Sequence, residues 1–409
     1  MEINLRQIIA DQRDEIPVIK GFGWIPREQE KAVDTNSRLT QIITGVRRSG
    51  KSTLAHRALR DVKYAYVNFD DERLIGISSE NLNDLLEALY AIYGDFSHLL
   101  LDEIQNVDGW HLFVNRLLRS NIRIVLTGSN SNTGQYSSIE LLPFSFREFL
   151  ITKTINYNGN RTTKEKGLLL GYFEEYLDHG GLPELITGEP KQTYIKTLFE
   201  AIVSRDIIYR YNIRNVRTFR EIAIWISVNF ASEISYNRIK NIFGLGSVNT
   251  AKKYISFLEE AWLFLCISKF SFKKQESLRY RKIYLVDTAF ANVSLSPTSP
   301  NHGKLLENLV FLELFRNRLR DNYEIYYYKK SFEVDFVIYS NRKVIELIQV
   351  TYSTIDPKTL NREIRSLLAV SKELDVEKMT IVTYNEKKVI NKDGKTIHIM
   401  PVVEWIFQT

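Results

Sequence analysis

The chain has 409 residues, of which 44% are hydrophobic and 25% charged, with a formal net charge of +6 and an isoelectric point near 9.0. This length predicts two to four domains, and the composition is that of an ordinary globular protein. The single cysteine, Cys266, excludes a disulfide framework, the six scattered histidines argue against a zinc site, and no apolar run reaches the roughly 18 residues of a membrane span.

The N-terminal sequence MEINLR does not have the pattern of a signal peptide. Together with the lack of paired cysteines, this predicts a cytoplasmic protein without membrane contact. The modest positive charge favours a polyanionic partner, and its distribution along the chain decides where such a partner would bind.

The most informative segment is GVRRSGKST at residues 45–53, which matches G-x-x-x-x-G-K-[ST] in full. It follows a strand-like apolar run at 39–44 and precedes a helix-like run at 54–59. Glycines allow backbone N–H groups to close around phosphate oxygens at a helix N-terminus. Lys51 would reach the terminal phosphates and Ser52 would hold Mg²⁺. We therefore expect a triphosphate at Gly45, Val46, Arg47, Arg48, Ser49, Gly50, Lys51, Ser52 and Thr53.

Two acids follow the apolar run HLLLDE at 98–103. The run predicts a buried parallel strand that delivers both carboxylates at its C-terminal edge, where open α/β sheets bind ligands. We expect Asp102 to hold Mg²⁺ together with Ser52, and Glu103 to polarise the attacking water. A further apolar run, 122–128, predicts a strand after which Asn130, or as second choice Ser129, contacts the γ-phosphate or the water. The predicted catalytic residues are Lys51, Asp102, Glu103 and Asn130.

These motifs, with YVNFDDERL at 66–74 and LLPFSFREFL at 141–150, resemble the AAA-type P-loop ATPases of archaea and many bacteria. In that family the C-terminal half is a restriction-endonuclease-like domain. The resemblance continues through YLDHGGLPELI at 176–186 and FEVDFVI at 332–338, so it covers nearly the whole chain. It implies ATP as the ligand and Mg²⁺ as the metal. It also implies a helical lid whose movement transmits the state of the nucleotide to the rest of the protein.

The expected fold is α/β: a P-loop NTPase core of AAA type, a helical lid, a winged helix and a C-terminal α/β restriction-endonuclease-like domain. These domains are predicted at residues 1–165, 166–230, 231–292 and 300–409, respectively. In the last domain the sequence predicts strands at 333–340, 343–350 and 379–383, a helix at 357–374 and a strand-rich ending at 396–407.

One departure from the family pattern concerns an arginine. Related sequences have a longer segment before LLPFSFREFL that ends in Thr-Gly-Arg, whereas this chain has Gln135 there. If that arginine serves the nucleotide or a neighbouring subunit of a homo-oligomer, turnover here would be slow or abolished. Arg147 and Arg205 are alternative candidates for an arginine finger.

A helix-turn-helix is predicted over residues 234–262, with a turn at 243–246 and Ser247 as the N-cap of the second helix. Two strand-like runs, 263–272 and 282–287, would then form a basic wing. This arrangement predicts contacts with double-stranded DNA. The residues expected to make them are Asn249, Lys252, Lys253, Lys273, Lys274, Arg279 and Arg281. The alternative is a winged helix used only for packing or oligomerisation.

Active restriction-endonuclease-like domains carry an acid on the first helix, an Asp on one strand, and Glu-x-Lys on the next, and these residues together bind Mg²⁺ and activate water. Glu307 and Asp335 fit the first two places, but the third reads Gln349-Val350-Thr351. Glu346 cannot replace Gln349, because an odd step along a strand reverses the side-chain direction. We therefore predict a domain that binds without cleaving.

Four functions are compatible with these features. The leading hypothesis is an ATPase switch whose nucleotide state controls binding to DNA or a partner. The alternatives are an ATP-liganded signalling or scaffold protein with negligible turnover, an ATP-gated nuclease, and, with least support, a small-molecule kinase.

Overall fold

The computed structural model describes residues 4–21, 24–128, 136–155, 162–188, 191–273, 280–293 and 301–408. The chain divides into two units. Unit 1 comprises Met1–Asn156, Leu182–Ile186 and Glu260–Trp262, and unit 2 comprises Tyr157–Gly181, Thr187–Glu259 and Leu263–Thr409. Within the described ranges, no helix is both long and apolar enough to cross a bilayer.

Unit 1 is built on a five-stranded parallel sheet. Its strands are β1 (Gln41–Thr44), β2 (Tyr64–Asn68), β3 (His98–Asp102), β4 (Arg123–Gly128) and β5 (Ser137–Glu140). Their order in the sheet is β2-β3-β4-β1-β5. The helices are α1 (Leu5–Gly21), α2 (Lys51–Ala58), α3 (Leu82–Tyr93), α4 (Trp110–Arg119) and α5 (Phe146–Thr152).

Both faces of this sheet are covered by helices, as the apolar run before Asp102 predicts. Leu99 and Leu101 lie in a core cluster with residues of α1, α3 and α4. Leu100, which points to the other face, packs with Leu54 and Ala55 of α2. Because β1, β3 and β4 run in the same direction, their carboxyl ends meet at one edge of the sheet.

The described part of 166–230 is mainly helical. Its elements are α6 (Thr163–His179), α7 (Pro183–Thr187), α8 (Lys191–Ala201), a π-helical stretch (Ile202–Tyr209) and α9 (Val216–Val228). The first helix starts before residue 166 because Thr162 caps it: its hydroxyl accepts from the amide of Glu165, whose carboxylate accepts in return from the amide of Thr162.

The predicted helix-turn-helix consists of α10 (Tyr236–Ile242) and α11 (Val248–Glu260). Ser247 accepts a hydrogen bond from the amide of Thr250 at 3.1 Å, so it is the N-cap that the sequence predicts. The start of the first predicted helix is wrong, because Ser232–Ile234 forms a strand, β6.

The described residues of unit 2 form a sheet of nine strands. After β6 they are β7 (Phe264–Lys269), β8 (Arg281–Leu285), β9 (Glu324–Lys329), β10 (Glu333–Ser340), β11 (Lys343–Val350), β12 (Met379–Thr383), β13 (Lys388–Lys392) and β14 (Lys395–Pro401), in the order β13-β14-β12-β11-β10-β9-β7-β8-β6. The strands β7 and β9 pair in parallel. One sheet therefore runs through both regions that the sequence assigns to separate domains at 231–292 and 300–409.

Three more helices belong to the C-terminal region: α12 (His302–Asn317), α13 (Pro357–Leu374) and α14 (Val402–Gln408). The strand-rich ending predicted over 396–407 is therefore wrong beyond Pro401. In α14 the residues Val402, Trp405 and Ile406 are buried, and their spacing of three and four is helical. The remaining short helices are of 3₁₀ type: Glu28–Ala32, Glu72–Leu74, Ser79–Asn81, Ile104–Asn106 and Thr288–Asn292.

Candidate nucleotide-binding site

The loop between β1 and α2 has a backbone that requires glycine at two positions. Gly45 has a φ of 153°, and a Cβ added there would lie 2.1 Å from the carbonyl oxygen of Leu141. Gly50 has a φ of 92° and directly precedes the first residue of α2, Lys51. The loop therefore ends at a helix N-terminus, which is the geometry that binds phosphate through backbone N–H groups.

Lys51 is buried beneath this loop. Its Nζ donates to the carbonyl oxygen of Val46 at 3.3 Å and lies 3.7 Å from the Oε1 of Glu103. Its side chain is only 6% exposed. The ammonium is therefore held between the loop backbone and one of the two acids predicted for catalysis.

Asp102 lies at the end of β3 and is bonded to two hydroxyl groups. Ser52 donates to its Oδ1 at 2.9 Å, and Thr127 on β4 donates to the same oxygen. Burial, reinforced by the negative charge of Glu103, raises the pKa of Asp102 to about 6. Ser52 and Asp102, which the sequence predicts to share Mg²⁺, are thus in direct contact.

Glu103 follows Asp102 in the left-handed conformation, with a φ of 54°. This conformation is unusual for a residue other than glycine and is often found at functional sites. The backbone amide of Glu103 donates to the hydroxyl of Thr127 at 3.1 Å. The carboxylate Oε2 of Glu103 accepts from the side-chain amide of Gln105. Thr127, which the sequence reasoning did not select, therefore contacts both acids.

Hydroxyl groups near the loop fit a phosphate ligand. Among the described residues, the Oγ of Ser49 and the Oγ1 of Thr44 are buried without a hydrogen-bond partner. Buried polar groups without a partner are rare in proteins and call for a specific explanation. With the glycine-lined backbone and the adjacent Ser52 and Asp102, these groups are suited to phosphate oxygens and a hydrated Mg²⁺.

Arg27 is a second residue that the sequence reasoning missed. Its guanidinium donates to the carbonyl oxygens of Ser49 at 2.9 Å and Leu142 at 2.6 Å, and to the Oε1 of Glu148 at 3.0 Å. Glu148 belongs to the SFREF motif, where it also accepts from the amide of Ser145. Arg27 therefore joins the phosphate-binding loop to the start of α5. The sequence signal that could have indicated a buried acid is the capping box at Ser145 and Glu148.

The other predicted residues of the site fall into two groups. Asn130, Ser129 and Gln135 lie outside the described residues. Among the arginines, Arg47 lies 3.5 Å from Asp70, Arg48 lies 3.6 Å from Glu184, and Arg147 lies 3.9 Å from Glu28. Arg205 is an exposed residue of unit 2.

The predicted DNA-contacting residues of α11 share an exposed face. Asn249, Lys252 and Lys253 are all exposed, as is Lys273 after β7. Arg281 differs, because it is partly buried and its guanidinium donates to Glu259 at 2.7 Å. Lys274 and Arg279 lie outside the described residues.

The predicted nuclease-like residues of unit 2 lie close together. Asp335 on β10 receives a hydrogen bond from the amide of Val350, and its own amide donates to the Oε1 of Gln349 at 3.2 Å. Glu307 on α12 and Asp335 both contact the ammonium of Lys282, a residue that the sequence reasoning did not select. Glu346 instead bonds Thr380 and Lys378, away from this group, in agreement with the predicted strand alternation.

Comparison with known families divides the chain into three matched regions. Residues 37–150 match the AAA domain family, residues 170–301 match a domain of unknown function (DUF8612), and residues 302–405 match another (DUF4143). With the parallel sheet and the loop at 45–53, the first match defines the class: the chain contains an AAA-type P-loop ATPase domain, which is a nucleotide-binding domain.

Similar sequences over nearly the whole length show which family the chain belongs to. An uncharacterized protein of Methanocaldococcus jannaschii is 34% identical over 420 residues, which cover 96% of this chain and 93% of that protein. The chain belongs to the same family as this protein. An uncharacterized protein of Haemophilus influenzae is 28% identical, over 90% of this chain and 94% of its own length. A solved Walker-type ATPase of Pyrococcus abyssi is 14% identical with a TM-score of 0.40, over 66% of this chain and 95% of that one.

Proposed function

We propose that the protein is a Mg²⁺-dependent ATPase that binds ATP at residues 45–53 and couples the state of the nucleotide to the binding of DNA or another partner. The observation that carries this proposal is the contact of Ser52 with Asp102 directly below a glycine-dependent loop that ends at the N-terminus of α2.

Each residue of the site has a distinct role in this proposal. Backbone N–H groups of the loop and the ammonium of Lys51 bind the phosphates, and Ser52 and Asp102 hold the hydrated Mg²⁺. The metal would neutralise charge that develops on the phosphate oxygens. Glu103 orients the attacking water, because phosphoryl transfer depends mainly on positioning and charge stabilisation. For Asn130 we retain the predicted contact with the γ-phosphate or the water.

The role of Glu103 is tested by Glu103→Gln, which preserves the size of the side chain and removes its charge. We expect ATP hydrolysis to fall about 100-fold or more while ATP affinity stays within a few fold, since a general base contributes in the transition state. Steady-state phosphate release and equilibrium ATP binding measure the two effects. Glu80→Gln, at an exposed acid of unit 1, is the control. Unchanged hydrolysis in Glu103→Gln would rule out this role.

A second function is an ATP-liganded switch with negligible turnover. It is favoured by Gln135, which replaces the arginine of related sequences, and by the carboxylate of Glu103, which is already engaged by Gln105 and lies near Lys51. Tight ATP binding with no measurable phosphate release, with or without DNA, would select this function over the ATPase.

For the partner we propose double-stranded DNA at the exposed face of α11. Lys252 and Lys253 are adjacent, exposed cations on the second helix of a helix-turn-helix, where they can reach phosphates. We expect DNA affinity to fall steeply with salt, and the double change Lys252→Ala and Lys253→Ala to reduce the slope of log K against log salt by about two.

Lys358→Ala, at an exposed lysine of α13, is the control for this measurement and should leave the slope unchanged. A flat salt dependence in the native protein would remove DNA from the proposal. The ATP measurements above would be unaffected by that result.

A further inference from the structure

A buried lysine lies between the two acids that the resemblance assigns to a metal site. The Nζ of Lys282, on β8, is 2.8 Å from the Oε1 of Glu307 on α12 and 2.9 Å from the Oδ1 of Asp335 on β10. Its side chain is 4% exposed. A third acid, Glu333, lies 3.8 Å away and is much more exposed. The ammonium therefore sits in the place where both buried carboxylates converge.

Other polar groups of the cluster have protein partners as well. The hydroxyl of Tyr284 donates to the Oε1 of Glu307 at 2.8 Å, and the amide of Val350 donates to the Oδ2 of Asp335 at 3.0 Å. Gln349 accepts from the amide of Asp335 and donates to Glu363 at 2.6 Å. The side chain at the third predicted ligand position is thus committed to hydrogen bonds with protein groups.

This arrangement does not fit a divalent cation. Mg²⁺ held by both carboxylates would lie about 2.1 Å from an oxygen of each, and therefore at the position of the Lys282 ammonium, whose charge would repel it. The neutral Gln349 supplies no compensating negative charge. Among the residues that the structure describes, no three His, Cys, Asp or Glu side chains form a group suited to a metal ion.

We propose that the ammonium of Lys282 is the resident cation of this cluster, in place of a divalent metal, and that it holds β8, α12 and β10 together. Lys282 comes from the region predicted as a winged helix, whereas Glu307 and Asp335 come from the region predicted as a separate nuclease-like domain. The cluster is then an ionic joint, that is, a set of buried salt bridges that connects these two segments of unit 2. It leaves no position between the carboxylates for the metal that phosphodiester cleavage of this type requires.

The first test is Mn²⁺ binding to the nucleotide-free, full-length protein, measured by electron paramagnetic resonance. We compare the native protein with Asp335→Asn, which removes one carboxylate of the cluster, and Ser52→Ala, which removes a proposed Mg²⁺ ligand of the nucleotide site. We expect Asp335→Asn to bind as much Mn²⁺ as the native protein. A Mn²⁺ site that is lost in Asp335→Asn and retained in Ser52→Ala would overturn the proposal.

The second test is thermal unfolding of Lys282→Met. Removal of the ammonium leaves two buried carboxylates without a counter-charge, so we expect Tm to fall by roughly 10 °C. Glu307→Gln in the same chain should recover part of this loss, because it removes one of the two unpaired charges. The control is Lys304→Met, at a half-buried lysine of α12 whose ammonium donates to the hydroxyl of Ser232 at 3.0 Å.

Equal decreases in Tm for Lys282→Met and Lys304→Met would contradict an ionic joint at Lys282. A Lys282→Met chain that does not fold, beside a folded Lys304→Met, would support it. The Mn²⁺ comparison remains decisive in either case, because it requires only the native protein, Asp335→Asn and Ser52→Ala.

Discussion

At the scale of single residues, the phosphate-binding loop depends on contacts from outside its own motif. Arg27 contacts the carbonyl oxygen of Ser49 in the loop and the carboxylate of Glu148 in α5, and both charged side chains are almost fully buried. A guanidinium can donate to several acceptors in a fixed geometry, whereas an ammonium cannot reproduce that geometry. Arg27 is therefore a positioning residue for the loop.

Arg27→Lys tests this contribution. The charge opposite Glu148 is kept, but at least one of the bonds to Ser49 and Leu142 is lost, so we expect the free energy of unfolding to fall by about 2 kcal/mol and ATP to bind more weakly. Denaturant unfolding and equilibrium ATP binding measure the two effects. Arg57→Lys, at a partly buried arginine paired with Glu30, is the control for loss of a guanidinium. If both variants bind ATP equally, Arg27 has no special role in the loop.

Asp102 provides a prediction about pH. Its pKa of about 6 in the folded protein exceeds the ordinary value of 3.8, so the folded state binds the proton of this carboxyl group more tightly than the unfolded state does. Ionisation therefore removes stability as the pH rises from about 4 to 6, by up to about 3 kcal/mol for a shift of this size. We expect Asp102→Asn to be more stable than the native protein at pH 7 and equally stable below pH 4, as measured by denaturant unfolding without nucleotide.

The same variant should lose the Mg²⁺-dependent part of ATP affinity, because the amide has no charge to hold the metal. Asp102 would then be a residue that costs stability in the free protein and contributes to ligand binding. An Asp102→Asn variant that is less stable than the native protein at pH 7 would contradict this interpretation.

At the scale of elements, the C-terminus of α6 shows how one buried acid fixes a turn. The carboxylate of Asp287 accepts from the amides of Gly181 at 2.8 Å and Ala289 at 2.9 Å. Gly180, which ends α6 with a φ of 77°, packs against this carboxylate so closely that an added Cβ would lie 1.7 Å from its Oδ1. The glycine is thus required both by its backbone conformation and by the approach of Asp287.

Gly180→Ala should therefore destabilise unit 2 by about 2 kcal/mol or more, because the alanine must adopt a positive φ and displace a buried carboxylate. The matched control is Gly171→Ala within α6, where an added Cβ meets no atom within 4 Å. That change should stabilise the helix by roughly 0.5–1 kcal/mol. Denaturant unfolding measures the change in the free energy of unfolding for both variants, and we expect the two changes to have opposite signs. A Gly180→Ala variant as stable as the native protein would show that glycine is not required at this position.

Local patterns predicted most of the elements that frame the two candidate sites. Strands β10, β11 and β12 and the helix α13 have the predicted bounds, because their apolar periodicity and flanking turn residues are local signals. The short range of these signals also explains the error at α14, where the short segment at 402–407, apolar except for Glu404, suits either a strand or a helix.

Contacts between distant residues could not be predicted in this way. Arg27 is 121 residues from Glu148, and Lys282 is 53 residues from Asp335, so neither pair has a signal in a single sequence. The pairing of β7 with β9, which joins the two regions of unit 2 in one sheet, is likewise a tertiary contact. At the candidate nucleotide site, two local motifs led to the prediction of Lys51, Ser52, Asp102 and Glu103, whereas the contact of Thr127 with both acids depends on the pairing of β3 with β4.

At the largest scale, the candidate nucleotide site lies in unit 1, whereas the predicted helix-turn-helix and the Lys282 cluster lie mainly in unit 2. The proposed coupling requires that ATP bound to one unit changes the affinity of the other for its partner. Such coupling is reciprocal, so DNA should alter ATP affinity by the same factor by which ATP alters DNA affinity. A factor that differs from one, found equally in both titrations, would support the coupling, and a factor of one would exclude it.

Isothermal titration with a non-hydrolysable ATP analogue, in the presence of Mg²⁺, tests whether residues 45–53 bind ATP. We predict one binding site per native chain and no measurable binding by Lys51→Ala, because the buried ammonium beneath the loop would be missing. Circular dichroism of both proteins establishes that they are folded. A folded native protein that does not bind the analogue, or a Lys51→Ala variant that binds it with native affinity, would contradict the account.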